Sequence, residues 1–324
     1  MSPMFGKKNL KQGKTIALVD IESGSVAGAL VRIAPHEAPK LFAQTRIEIP
    51  LLSTRGSVEL SREALLAARK AIEHISEVAS RVRGREELAP TGKIAHVATF
   101  YAPPWAAMHL AGGTADYLPH MTEHISDLAR DILGQHSMSA HPFGTAAAHG
   151  ALSLFPFERA AMLCLVGGEV SELLLIEDGM VRGRATVPVG LSTILRTAVS
   201  HGGFSAREAR SLVTLASRAE GEAAHEALEA GGNHFAQQFS EAAAELIPTA
   251  PARSVIVIAP TPSEAFFARS LARSAQANAL FPEGSVVQAL RASHVAPHIA
   301  AHALAPDVPL MLEALFVDKK FGIY

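Results

Sequence analysis

Cysteine is nearly absent: Cys164 is alone among 324 residues, so no disulfide can form within the chain. Its neighbours Met162, Leu163, Leu165 and Val166 are apolar, the setting of a buried strand residue and not of a reactive thiol. Charge of one sign is lacking as well. With 29 Lys and Arg against 31 Asp and Glu, the formal net charge is −2, which leaves no broad basic surface for nucleic acid or an anionic membrane. No apolar run approaches the ~20 residues of a spanning helix, and the first residues carry no apolar signal segment. The expectation is a reducing, cytoplasmic setting without direct membrane insertion. A Walker loop, zinc-ligand spacing and a Ser-His-Asp signature are also missing.

What is present suits a large α/β chain. Hydrophobic residues make up 48% of the sequence, enough for two ordinary cores at this length. Residues 1–13, with Lys7, Lys8 and Lys11, read as a solvated basic tail. Residues 15–19 and 26–33 are strand-forming runs around a small polar turn, a hairpin. Residues 46–52 supply a third strand, and 60–82 carry Leu65, Ala68, Ile72, Ile75, Ala79 and Val82 at helical spacing. After Gly92 comes a strand at 94–101, stopped by Pro103-Pro104, and then a helix at about 116–133. Residues 134–150 hold His136, His141 and His149 without the carboxylate or cysteine company of a metal site.

The second half repeats the theme. Runs at 161–166, 171–177 and 180–189 are joined by Gly167-Gly168 and by Asp178-Gly179, the latter a strong hairpin signal. Helices follow at about 192–200, 205–228 and 233–246, the second opened by a capping box of Ser205 and Glu208. A buried strand at 255–259 and a helix at 263–277 complete the lobe. Residues 14–160 and 161–324 are therefore read as two α/β lobes, each a mixed sheet with an antiparallel meander. Any inserted subdomain near 103–135 is small or missing, and about 290–324 returns to the first lobe as a final strand or helix.

Small residues in a tight turn let backbone N–H groups approach a phosphate. Asp20, Ser23, Gly24 and Ser25 supply such a turn in the first lobe, and Gly167, Gly168, Glu169 and Ser171 in the second. Facing one another, they would clamp a nucleotide. Glu158 with Arg159, and Asp307 with Asp318, read as surface charge and not as catalytic pairs.

Met4-Phe5-Gly6-Lys7-Lys8, together with Ala17-Leu18-Val19-Asp20-Ile21-Glu22-Ser23-Gly24-Ser25-Val26, resembles the opening of the actin-like PilM and FtsA proteins. Residues 165–173, continuing to Val187-Pro188-Val189-Gly190, are similar to that family's second phosphate motif, and 254–271 sits where its adenosine motif belongs. The resemblance implies a two-lobed actin-like, ribonuclease H-like fold with ATP and Mg²⁺ between the lobes, the metal held by Asp20. Three departures imply that this binding is weak or lost. Leu165 replaces a metal-holding aspartate, Glu22 replaces a glycine and brings negative charge towards a phosphate, and Ala259-Pro260-Thr261-Pro262 replaces a glycine-rich adenosine loop.

Ala102-Pro103-Pro104-Trp105 resembles a motif of PilM-like sequences, which makes Trp105 either a core anchor or a partner contact. The function implied is a scaffold of a type IV pilus-type machine on the cytoplasmic tail of an inner-membrane assembly protein, peripheral to that membrane, with a homo-oligomer open. The alternatives are an FtsA-like cytoskeletal ATPase and an active enzyme of the sugar-kinase and actin superfamily.

Overall fold

Two apolar runs joined by a polar turn dictate the first hairpin. The strands β1 (Lys14–Ile21) and β2 (Ser25–Ile33) pair antiparallel from Lys14 with Ile33 to Ile21 with Val26. In the computed structural model the described residues are 13–51, 56–85, 91–108, 115–155, 160–218, 226–246, 252, 254–281, 283–301 and 306–322. After the hairpin come β3 (Lys40–Glu48), α1 (Ser57–Arg83), β4 (Ile94–Tyr101), the short pair β5 (Ala106–Met108) and β6 (Ala115–Tyr117), α2 (Pro119–Leu133), β7 (Ser137–Pro142) and α3 (Phe143–Leu154). The second half runs β8 (Ala160–Leu165), β9 (Ser171–Glu177), β10 (Met180–Val187), α4 (Leu191–Gly202), α5 (Ala206–Arg218), α6 (Glu226–Leu246) and β11 (Ser254–Ile258). It closes with α7 (Glu264–Arg273), α8 (Ala275–Leu280), β12 (Val286–Ala289), α9 (Ala292–Val295), β13 (Ala300–Ala301) and α10 (Val308–Phe321).

These strands build two mixed sheets, ordered β13-β3-β2-β1-β4-β7 and β10-β9-β8-β11-β12. Each begins as an antiparallel meander and adds parallel strands by helical crossovers. The result is the two-lobed α/β fold of the actin-like, ribonuclease H-like class. Three apolar cores hold it. One packs α1 and α2 on the first sheet, a second packs α4, α6 and α7 on the other, and a third lies between the sheets around α3 and α10. There Gly150 lets α3 meet Leu312 of α10, since a Cβ would overlap the leucine side chain.

Strand periodicity decides which residues enter the space between the sheets. On β1, Ala17, Val19 and Ile21 face the α1 core, while Ile16 and Leu18 face the inter-sheet core, and Asp20 continues that second row. Leu163 and Leu165 on β8 point into the same core from the opposite sheet.

Several sequence expectations shift. The third strand lies at Lys40–Glu48 and not at 46–52, so Arg46 sits inside the sheet. Residues 137–154, to which the sequence reading assigns no element, form β7 and α3. The helix expected over 205–228 is described as α5 to Arg218, and α6 begins at Glu226. The segment after residue 290 contributes α9, β13 beside β3, and α10 on the inter-sheet face. The basic tail to residue 12, and Glu158 and Arg159, lie outside the described residues.

Candidate functional site

The first turn follows β1 and the second follows β8, and the two meet backbone to backbone. A Cβ on Gly24 would lie 2.8 Å from the Gly168 Cα, and one on Gly168 would overlap both N and Cα of Gly24. Glycine is needed here for close approach. The second turn is fixed from behind by α4, whose Leu191 and Ser192 amides donate to the carbonyls of Gly167 and Gly168, both at 2.8 Å. Its own amides therefore point forward, at the first turn.

Those amides are already taken. Gly168 N donates to Glu22 Oε1, and Glu169 N donates to Ser23 Oγ at 2.9 Å. Glu22 also accepts from Gly24 N at 3.2 Å and from Ser25 Oγ at 2.9 Å. The Glu22 side chain thus sits where the glycine turns would cradle an anion. Burial pushes its carboxyl up to about 7, against the attraction of Arg46. Glu169 turns outward to pair with Arg196 of α4, with contacts of 2.9 and 2.5 Å. Ser171 Oγ donates to the Val189 carbonyl at 2.7 Å, tying the start of β9 to the chain beyond β10.

Arg46 completes the centre. Ala27 stands opposite Asp20 on one side and opposite Arg46 on the other, which sets the three in one row across β1, β2 and β3. The small alanine lets the long side chain of Arg46 cross over to Asp20. Its Nη2 donates to Asp20 Oδ2 at 2.8 Å, its Nε and Nη2 to Asp307 at 2.6 and 2.9 Å, and its Nη1 to Ser25 Oγ at 2.7 Å. Burial raises the carboxyl of Asp20, 2% exposed, above its ordinary range although Arg46 opposes the shift. Arg46 itself is held charged by Asp307 and Asp20 against the pull of burial.

A cavity of about 20 Å³ remains between Asp20, Glu22, Leu165 and Pro260, room for a single water. A cleft of about 200 Å³ opens directly on the two turns, lined by Glu22, Gly24, Ser25 and Gly168 on one side and by Arg210 and Ser263 on the other.

The structure brings together Asp20, Ser23, Gly24, Ser25, Gly167, Gly168 and Glu169, with Ser171 at the following strand. Trp105 is elsewhere: it is 2% exposed in the α1 and α2 core, so its expected partner contact is corrected to a buried anchor. Asp307 is corrected too. It is buried, paired with Arg46, and caps α10 by accepting from Leu310 N at 3.1 Å. Sequence reasoning missed Arg46, Asp307 and Glu313 as one cluster. No local signal marked Arg46, which sits among Gln44, Thr45 and Glu48; the signal available was a glutamate in the apolar run of α10.

The fold and its paired turns define a member of the actin-like structural class. No family model matches the chain, and no curated protein matches it. Solved structures do. The ethanolamine utilization protein EutJ from Carboxydothermus hydrogenoformans is similar over 84% of this chain and 83% of that one, at 17% identity and a TM-score of 0.53. A PilM-PilN type IV pilus biogenesis complex is similar over 93% and 97%, at 10% identity and a TM-score of 0.59. These likenesses concern the fold. No described helix is long and apolar enough to cross a membrane.

Proposed function

We propose that the chain is a non-catalytic actin-like scaffold of a type IV pilus-type assembly machine. In this reading it docks on the cytoplasmic tail of an inner-membrane partner and lies peripheral to that membrane, as a monomer or a homo-oligomer. The lobes, 14–160 and 161–324, are held together by their own side chains in place of a nucleotide.

One observation carries the reading: the amides of Gly168 and Glu169 both donate to side chains of the opposite turn. A phosphate between the turns would have to displace Glu22 and part Gly24 from Gly168. The residues present do not fit a metal–phosphate pair, because Asp20 is bound to Arg46 and Leu165 offers no ligand. An ATPase cycle of opening and closing has no ligand-dependent step in such a cleft. A fixed relation between lobes instead suits a docking platform, and the full-length likeness to PilM in the PilM-PilN complex supports a membrane-protein tail as the docked element.

The test is binding of the purified chain to cytoplasmic tail peptides of the type IV pilus inner-membrane assembly proteins of its own organism. Saturable binding, equal with and without Mg-ATP, is expected. No binding in either condition, or binding that needs ATP, would overturn the proposal.

A further inference from the structure

The start of α10 belongs to the cleft through Asp307, whereas its other end covers three imidazoles that the cleft does not use. His96 comes from β4, His141 from the end of β7 and His149 from α3. Phe316 packs against His141 and His149 with ring centroids 5.0 and 6.0 Å apart, and Phe321 against His96 at 4.6 Å. Lys320 reaches over both phenylalanines, its Nζ 5.7 and 5.8 Å from their centroids. The last turns of one helix are thus seated on histidines from three elements.

These rings are not a metal site, since no described group of three such side chains is spaced for an ion. The nitrogens of two of them meet hydroxyls instead. His96 Nδ1 lies 2.8 Å from Ser137 Oγ and its Nε2 2.8 Å from Ser139 Oγ, while His141 Nε2 lies 2.9 Å from the same Ser139 Oγ. A hydroxyl has one hydrogen, so Ser139 can donate to one ring and accept from the other only while one of the two facing nitrogens is bare. A proton added there turns both rings into donors and leaves the hydroxyl hydrogen without its acceptor. The charges acting on the rings are cations: Lys320 on His96 and His141, Lys319 on His149, and His96 on His141. A helix C-terminus favours a nearby cation, but Lys319 and Lys320 already supply it in the last turn. Each proton taken up therefore enters an aromatic seat beside like charge.

We propose that His96, His141 and His149 form an acid-operated clasp, which holds the C-terminal end of α10 on β4, β7 and α3 while the rings are neutral and releases it when they are protonated. Burial lowers all three from the ordinary 6.5, His141 to about 4. Released rings hold protons more tightly than seated ones, so the clasp is at full strength above 6.5 and weakens as pH falls. It needs neither a partner nor a nucleotide.

The experiment uses the full chain, with amide hydrogen exchange corrected for the intrinsic rate at each pH and imidazole titrations followed by NMR. From about pH 7.5 to about pH 5, protection of residues 315–321 is expected to fall about tenfold, while that of α6 in the other lobe holds. In His96→Gln/His141→Gln/His149→Gln the fall is expected to vanish. Lys319→Met/Lys320→Met keeps every imidazole and changes only exposed side chains, so it decides the matter even where the triple variant does not fold. There the His141 titration should rise from about 4 towards 6.5, and the loss of protection should shrink. The proposal is overturned by protection of 315–321 that holds down to about pH 5, by a loss that persists in the triple variant, by a loss shared with α6, or by a His141 titration that the lysine changes leave in place.

Discussion

The two turns occupy matching places, each after the first strand of a meander, yet their chemistry is opposite. The first is crowded with acceptors: Glu22, Ser23 and, at the strand end, Asp20. The second presents its backbone amides, its Glu169 carboxylate being bound by Arg196, and has Leu165 where the first has Asp20. Acceptors on one side and donors on the other close on each other without a ligand. Here the amides of the second turn are satisfied by the Glu22 carboxylate and the Ser23 hydroxyl of the first.

The largest effect is expected at the cation that balances the acceptor-rich side. Arg46→Met leaves Asp20 and Asp307 buried without their partner, and a loss of about 3–5 kcal/mol in denaturant unfolding is expected. Next comes the donor side. Gly168→Ala forces a Cβ into Gly24, so stability should fall by about 1–3 kcal/mol, with faster amide exchange in both turns. Gly179→Ala, at φ +75° in an open hairpin turn, should lose only about 1–2 kcal/mol, without touching exchange near residue 168.

A pH series sharpens the contrast. Glu22 titrates at about 7 in the fold against an ordinary 4.5, so the folded chain holds the proton more tightly. Its contribution is full below about 4.5 and is lost as pH rises through 7. His141, lowered to about 4 by burial, has the opposite sign, with stability present above 6.5 and lost as pH falls. Melting temperatures of wild type and Glu22→Gln, compared at each pH, cancel the histidine and isolate the carboxyl: the Gln variant should gain relative to wild type between pH 5 and 8. The smallest effect belongs to the outer inter-lobe pair. Arg210 meets Glu48 at 3.2 Å, but Glu48 is 62% exposed, so Arg210→Ala should cost under about 1 kcal/mol.

Turn chemistry was legible in the sequence because it is local. The polar turn at 20–25, the glycine pair at 167–168 and Asp178-Gly179 all sit between apolar runs, and the structure places a hairpin at each. The departure at Glu22 was legible as a charge, though not as a hydrogen-bond acceptor for the opposite lobe, 146 residues away. Arg46 and Asp307 are 261 residues apart, and no local pattern joins them. Helix α3 escaped because Gly144, Ala146, Ala147, Ala148, Gly150 and Ala151 are all buried, which erases amphipathic periodicity. Placing the third strand at 46–52 hid Arg46 at a strand end, whereas the true register sets it opposite Ala27.

The most direct test of the self-filled cleft is calorimetric titration of Mg-ATP into wild type and into Glu22→Gly. The account predicts no binding heat in wild type and measurable binding once the carboxylate is removed from the glycine amides. Micromolar binding with turnover by the wild-type chain would contradict it.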